Sequence, residues 1–523
     1  MSSSEPSAVR RFRWSDYVPG STLARVFAAD RPLGLAFLLL AALTIAPVFF
    51  VPTLPFPDLS ANVGSAGLIV PILLGWKVAS HHFHLLLEPI PYWTAYLVMG
   101  AVSPLFGAFA SAKAIVLLDL LLLPLAVTRL LVAFGRNPRL GLWAFLMSWE
   151  HNLHCGWVQH SLGMSLVFIV LAKVVEADSV PRALRVIPWT ALIAVTHILA
   201  VGYLLLTAGL IALNPRGFLE RLKLSSIALS GALCAFLPFV FKILGPRTGT
   251  PSPPFDFQYP PIQEKLGKLF TYTLDNLPGQ WSEAANGFAF CLLIVGPLAL
   301  TLLPRNDTAT EDRWAPFTPV LAAVLLYFAA PFAVNGPISH WYTYPRFASL
   351  ILVGLLFVPR PRLDGRRAWA LFPGVVALAA TMAITIKQLR EFGEHARPFV
   401  AIEALVKRDT RVLPLVFEYN DAATRQSPYN TFHAYFAPKG VYDPGLFDNP
   451  SIPVLYRHEN VLPNVYWAAP EQFTMQDHGK YYDYIFVQGL ARDPVPAHMK
   501  GGGHHAVLLK EAGMWRLYGV VKD

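Results

Sequence analysis

Four places in this chain set ionisable side chains among apolar ones. The first is FVPTLPFPDLSANVGSAGLIVP, residues 50–71, where a lone carboxylate, Asp58, follows a long apolar run and has no basic residue beside it. An acid there has two readings. It caps a helix over residues 60–74, a position aspartate favours, or it is a general base that takes a proton from an acceptor hydroxyl. A single base suffices for displacement at a sugar carbon when the leaving group is already a good one, such as a phosphate.

The second is SWEHNLHCGWVQHSLG, residues 148–163, which crowds Glu150, His151, His154 and His160 into one connection. A metal centre needs a defined ligand set, and neither HExxH nor CxxC occurs. Hydrogen-bonding histidines at an interface are the plainer reading, here and for HHFH at 81–84, which holds His82. A divalent metal ion stays open as a cofactor. The third is Arg346, at the end of the aromatic loop NGPISHWYTYPR (335–346), where Tyr342 also lies. It is either a snorkelling interfacial arginine or a clamp for a lipid phosphate, which guanidinium binds in bidentate fashion. The fourth is His197, midway along an apolar run, placed either as a satisfied core residue or as a contact to the same phosphate.

The surrounding composition is that of a membrane protein. The chain is 54% hydrophobic and 14% charged, against about 25% charged in soluble domains, and its mean hydropathy is +0.45. Many windows reach the roughly 20 apolar residues that cross a bilayer. The net charge of +9 sits mostly in short loops, where it sets topology, and no basic patch with interleaved aromatics points to nucleic acid. The three cysteines, Cys155, Cys234 and Cys291, lie in or beside apolar runs.

The positive-inside rule then orients the chain. The basic segment 1–32 is cytoplasmic and leads into a retained signal anchor, residues 33–51, which delivers Asp58 to the outer side. Basic loops at 135–139, 177–185, 214–223 and 359–367 are cytoplasmic, and 304–313 is a weaker case. Parity is met by a re-entrant or interfacial piece broken at Ser103-Pro104, before one true span at 114–134, or by one arginine loop lying outside; the first is preferred because proline lacks a backbone donor. Residues 140–151 and 155–175 form a pair with EHNLHCGW outside. Residues 187–213 must go out and back as two half-length segments meeting near His197. Further spans at 224–244, 287–303, 316–334, 347–358 and 369–386 bring the total to about 11 crossings. The resulting organisation is an α-helical polytopic membrane domain, 33–386, with outer loops at 52–92, 245–283 and 335–346. It is followed by an extracytoplasmic α/β domain, 387–523. In that tail, strands are expected at 411–420 and 481–489, a helix over 392–407, and a terminal hairpin turning at Glu511-Ala512-Gly513.

Taken together, FPDLSANVGSAGLI in the first outer loop, GWVQHSLGMSLVFIVLA, AVTHILAVGYLL with a histidine at the apex of short helices, YPRFASLILVGLL and a tail ending in GMWRLYGVV resemble the GT-C superfamily of integral membrane glycosyltransferases. That superfamily includes protein O-mannosyltransferases and aminoarabinose transferases. The resemblance implies a polyprenyl-phosphate-linked sugar donor and an acceptor glycan, lipid or protein at the outer face of the bilayer. It implies Asp58 as catalytic base or metal-binding acid, Glu150 as the second acid, and Arg346 against the lipid phosphate. Relatives often carry a histidine four residues after the first acid, and here that residue is Asn62. His197, His151, His154, Tyr342 and His82 complete the candidate substrate-binding set. A high-arginine, high-alanine chain without eukaryotic retention signals fits a bacterial inner membrane. The competing readings are a transporter or flippase of a lipid-linked or polar solute, a non-catalytic cell-envelope scaffold, and an acyltransferase.

Overall fold

The computed structural model describes residues 20–214, 217–244, 254–305, 314–336, 339–489 and 492–523. The basic residues before position 20, part of the proline-rich loop (245–253) and most of the loop at 304–313 lie outside the described residues.

The chain is a helical integral membrane protein. Its helices are α1 (Arg31–Ile45), α2 (Pro57–Gly67), α3 (Trp93–Phe106), α4 (Ala108–Ala133), α5 (Val158–Val175), α6 (Ile187–Ala194), α7 (Ile198–Ala212), α8 (Phe218–Leu244), α9 (Gln280–Leu300), α10 (Thr318–Ala329), α11 (Ala348–Leu355) and α12 (Phe372–Leu405). Against an expectation of about 11 crossings, six helices among the described residues are long and apolar enough to span a membrane, and four apolar helices are shorter. The lipid-facing stripe is visible on α1, where Leu35, Leu38 and Leu39 are exposed, as apolar side chains are against hydrocarbon.

Local chemistry explains the breaks. Asp30 caps α1, its carboxylate accepting from the Leu33 amide at 3.2 Å, with proline in the first turn. The break expected at Ser103-Pro104 falls instead at Gly107, whose φ of +84° ends α3 and starts α4. The expected span at 140–151 is not one: Pro138–Met147 is a buried ten-residue 3-10 helix, about 20 Å long, short of the roughly 30 Å hydrocarbon core. The apolar run 187–213 breaks at His197, whose Nδ1 accepts from the Leu199 amide at 3.1 Å and so caps α7.

The basic loops gather at one end of the bundle. Arg139 pairs with Asp30 at 2.7 Å and also donates to the Leu363 carbonyl, while Arg136 donates to the Phe357 carbonyl at 3.1 Å. Arg129 of α4 pairs with Glu176, just past the end of α5. The 18-residue α5 runs about 27 Å from there to Trp157, beside Asp58.

Helix α12 has 34 residues and is about 51 Å long. It leaves the apolar bundle and continues into the tail, so the boundary expected at 387 falls inside a helix. Beyond it lies a five-stranded sheet of order β5-β7-β10-β9-β8, made of Val412–Val416, Tyr484–Gln488, Trp515–Lys522, His504–Ala512 and Lys500–Gly501. Strands β5 and β7 are parallel, and β9 and β10 form the terminal hairpin, turning at Gly513 with φ +60°. Phe399 of α12 packs on Trp515 (5.2 Å between ring centroids) and Phe486 (5.8 Å).

The tail grips the bundle at two places. Strand β1 (Phe83–Leu85) pairs with β6 (Val454–Tyr456). The helical segment Pro428–Lys439 lies on α2, where Ser60 and Thr431 share a 2.7 Å hydrogen bond and Thr431 donates to the Pro57 carbonyl. Helix α2 allows this approach because its residues are small. A Cβ on Gly64 would sit 2.5 Å from the Ala434 carbonyl oxygen. Gly64→Val is therefore expected to destabilise the protein by about 1–3 kcal/mol through overpacking, and Ser60→Ala by about 1 kcal/mol through the lost hydrogen bond. Thermal melting of purified protein in detergent measures both.

Candidate functional site

Asp58 stands in the first turn of α2, behind Pro57, where the helix dipole favours a negative charge. Its amide donates to the Cys155 carbonyl at 3.2 Å. The adjoining turn comes this close because residue 156 is glycine with φ +82°. A Cβ there would lie 2.5 Å from the Leu59 amide nitrogen.

Trp157 ties the site together. Its indole Nε1 donates to Asp58 Oδ2 at 2.9 Å, and the Arg346 guanidinium lies over the same ring, 3.9 Å from its centroid. One side chain thus holds the acid by its edge and the cation by its face. Arg346 is 9% exposed, forms no ion pair within 4.0 Å among the described residues, and its Nε has no hydrogen-bond partner. A buried guanidinium so placed is short of an anion. Burial pushes the Asp58 carboxyl up to about 6, while the Arg346 charge and the Trp157 hydrogen bond pull it down.

Asp58 and Arg346 face a cavity of about 810 Å³, within the range of small-molecule sites. One wall is bundle: Tyr92, His151, Gln159 and His197. A second is the strip His340–Tyr342, and a third is tail: Gln426, Ser427, Asn430, Asp448 and Asn449. The strip belongs to a small sheet, β2 (Asp256–Gln258), β3 (Ala333–Asn335) and β4 (His340–Trp341), which joins two segments read from sequence as separate loops. Tyr92 and Tyr342 have φ of +80° and +57°, conformations that cost a non-glycine residue energy and cluster at functional sites.

Of the residues singled out from sequence, Asp58, His151, His197, Tyr342 and Arg346 line this cavity. Glu150, His154 and His82 do not. Glu150 caps the turn after it, accepting from the Asn152 amide at 2.9 Å, from the Asn152 side chain at 2.6 Å and from Ser161 at 3.2 Å. His154 is buried against Phe56 and Trp149. His82 donates to the Asn460 carbonyl at 2.6 Å and stacks 4.1 Å from Tyr442, binding the first loop to the tail.

Among the described residues, no three His, Cys, Asp or Glu side chains converge to hold a metal ion. Asn62, four residues after Asp58, is engaged elsewhere. Its Oδ1 accepts from Tyr96 and Gln159, and its Nδ2 donates to the Gly156 carbonyl. The residues beside Asp58 do not fit a metal.

Cys155 lies 3.4 Å from His151 Nε2, and His151 Nδ1 donates to Asn276 at 3.1 Å. This is the connectivity of a thiol nucleophile with a base and an orienting amide. Burial works against that use: it raises the Cys155 thiol well above its ordinary value and lowers His151 to about 4. Both stay neutral, and a buried neutral thiol is inert.

Sequence reasoning passed over Trp157, Tyr92 and the tail wall. Trp157 had a signal, since it follows a glycine in the crowded connection. The tail residues had none, because only the packing of Pro428–Lys439 on α2 brings them there.

Trp157→Phe keeps the ring and removes the indole donor. The Asp58 pKa is expected to rise by about 1 unit, the size of a hydrogen bond to a charged group. Infrared titration of the carboxyl band, assigned with Asp58→Asn, measures it.

Comparison with protein-family models, with curated proteins and with solved structures finds no match to this chain.

Proposed function

We propose that this protein transfers a sugar from a polyprenyl-phosphate donor to an acceptor hydroxyl at the extracytoplasmic face of a bacterial inner membrane. The observation that carries the reading is Trp157, which holds a carboxylate and an unpaired guanidinium on one cavity. The cavity lies at the end of the bundle opposite the basic loops, which the positive-inside rule assigns to the cytoplasm.

In this reading Arg346 takes the donor phosphate as the anion it lacks. The cavity's amide, hydroxyl and aromatic side chains suit a sugar, which offers both hydroxyls and apolar faces. Asp58 removes the acceptor hydroxyl proton as the acceptor oxygen attacks the anomeric carbon. The bond from that carbon to the phosphate oxygen breaks, and its electrons leave with the polyprenyl phosphate, whose added charge Arg346 stabilises. A single displacement inverts the anomeric centre. An acid that titrates near 6 is ionised at neutral pH yet a better base than an ordinary aspartate.

Three outcomes follow. Arg346→Ala is expected to weaken binding of polyprenyl phosphate roughly 10- to 100-fold, as for loss of a charge-assisted hydrogen-bond pair, measured by native mass spectrometry. Asp58→Asn is expected to keep that binding while product formation falls about 10²- to 10⁴-fold; unchanged turnover, or solute flux without transfer, favours transport instead. The rate should fall tenfold per pH unit below about 6, because the raised pKa lets Asp58 protonate there and not near 4. A limb near 4 in the kcat/KM profile contradicts Asp58 as the base.

A further inference from the structure

A second, much smaller cavity of about 30 Å³ lies one hydrogen-bonded layer from Arg346. Its polar lining includes Asp119 of α4, Glu150 and Asn152 of the capped turn, Ser161 and Ser165 of α5, and Ser349 of α11. None of the sugar-transfer chemistry uses it.

The polar atoms left without a partner at this place are all acceptors. Asp119 is 4% exposed, and neither of its carboxylate oxygens has a hydrogen-bond partner among the described residues. Asn152 spends its Nδ2 on Glu150 (2.6 Å), Ser349 (3.1 Å) and the Arg346 carbonyl (3.4 Å). Its Oδ1 is buried and unpaired. His160, which also lines the cavity, donates from Nε2 to the Arg346 carbonyl at 3.0 Å. Its Nδ1 therefore carries a lone pair, and it too has no partner. Glu150, by contrast, already receives three donors. No lysine or arginine lines the cavity.

A buried carboxylate among acceptors needs positive charge. A proton on Asp119 supplies one donor and leaves the other acceptors facing one another. A small cation satisfies several at once and cancels the charge. Carboxylate, amide and hydroxyl oxygens suit a hard ion. Asp119 is the one lining carboxylate whose charge no donor meets, so a single positive charge balances the site, and a space of about 30 Å³ has room for one small ion.

We propose that this cavity binds a sodium ion, with Asp119 as its charged ligand and Asn152 Oδ1 and the serine hydroxyls completing the shell. The ion would bridge α4, α5 and α11. It would also steady Asn152 and His160, which together hold the Arg346 carbonyl, so the sodium site and the Arg346 backbone are coupled whatever anion Arg346 binds.

The test is thermal melting of the purified full-length protein in detergent, in sodium, potassium or choline chloride at constant ionic strength. Sodium is expected to raise Tm by several degrees along a saturating curve, with choline inert. Asp119→Asn should abolish the dependence. Equal melting in the three salts overturns the proposal, and so does an Asp119→Asn protein that still responds to sodium. Should Asp119→Asn fail to fold, Ser165→Ala keeps the charge and is expected to move the sodium midpoint several-fold higher; an unmoved midpoint counts against the site. A protonated-carboxyl infrared band, assigned to Asp119 by its loss in Asp119→Asn, that sodium does not remove from the wild type identifies a proton in place of the ion, and also overturns it.

Discussion

The close packing of α2 against Pro428–Lys439 is the constraint on which the rest of the structure depends. Helix α2 is buried from Leu59 to Gly67, and its small residues leave a groove that the tail fills. Gly64 meets the Ala434 backbone, and Gly67 meets the Pro438 ring. Asp58 sits at the head of this helix, so the contact that docks the tail also fixes the acid. It also carries Gln426, Ser427 and Asn430 to the cavity. A close contact between helical segments with small residues thus sets one side of a polar chamber between the apolar bundle and the folded tail.

Trp157 adds a second economy. Opposite charges in direct contact in a buried site neutralise each other and leave little field for a ligand. Here the indole stands between them, with its edge on the carboxylate and its face on the guanidinium. Each charge keeps a favourable contact, and neither is consumed by the other.

Some of this was legible in the residues. The break at His197 could be read because 187–213 is too short for two full crossings yet must return to its starting side. Asp58 and Arg346 stood out as charges with no local reason to be there. The terminal hairpin announced itself through alternation around a glycine. Other features were hidden for physical reasons. Lys387, Arg390 and Glu391 change the composition but are good helix formers, so α12 runs on through an apparent boundary. Residues 140–147 are apolar enough to suggest a span, but Pro138–Met147 winds as a short 3-10 helix inside the protein. Glu150, His151 and His154 are neighbours in sequence, and only the direction of a four-residue turn sends His151 to the cavity and the other two away from it. The amide wall from the tail depends wholly on contacts between distant parts of the chain.

The bond between Ser60 and Thr431 joins residues 371 apart. During synthesis α2 is among the first helices made, and its covering segment among the last. Contacts of such separation form late and slowly. For most of translation the groove on α2 has no occupant, and small residues alone hold little against the bilayer. The bundle can be inserted while the cavity does not yet exist, so docking of the final hundred or so residues on α2, and not helix insertion, is the step that completes the cavity.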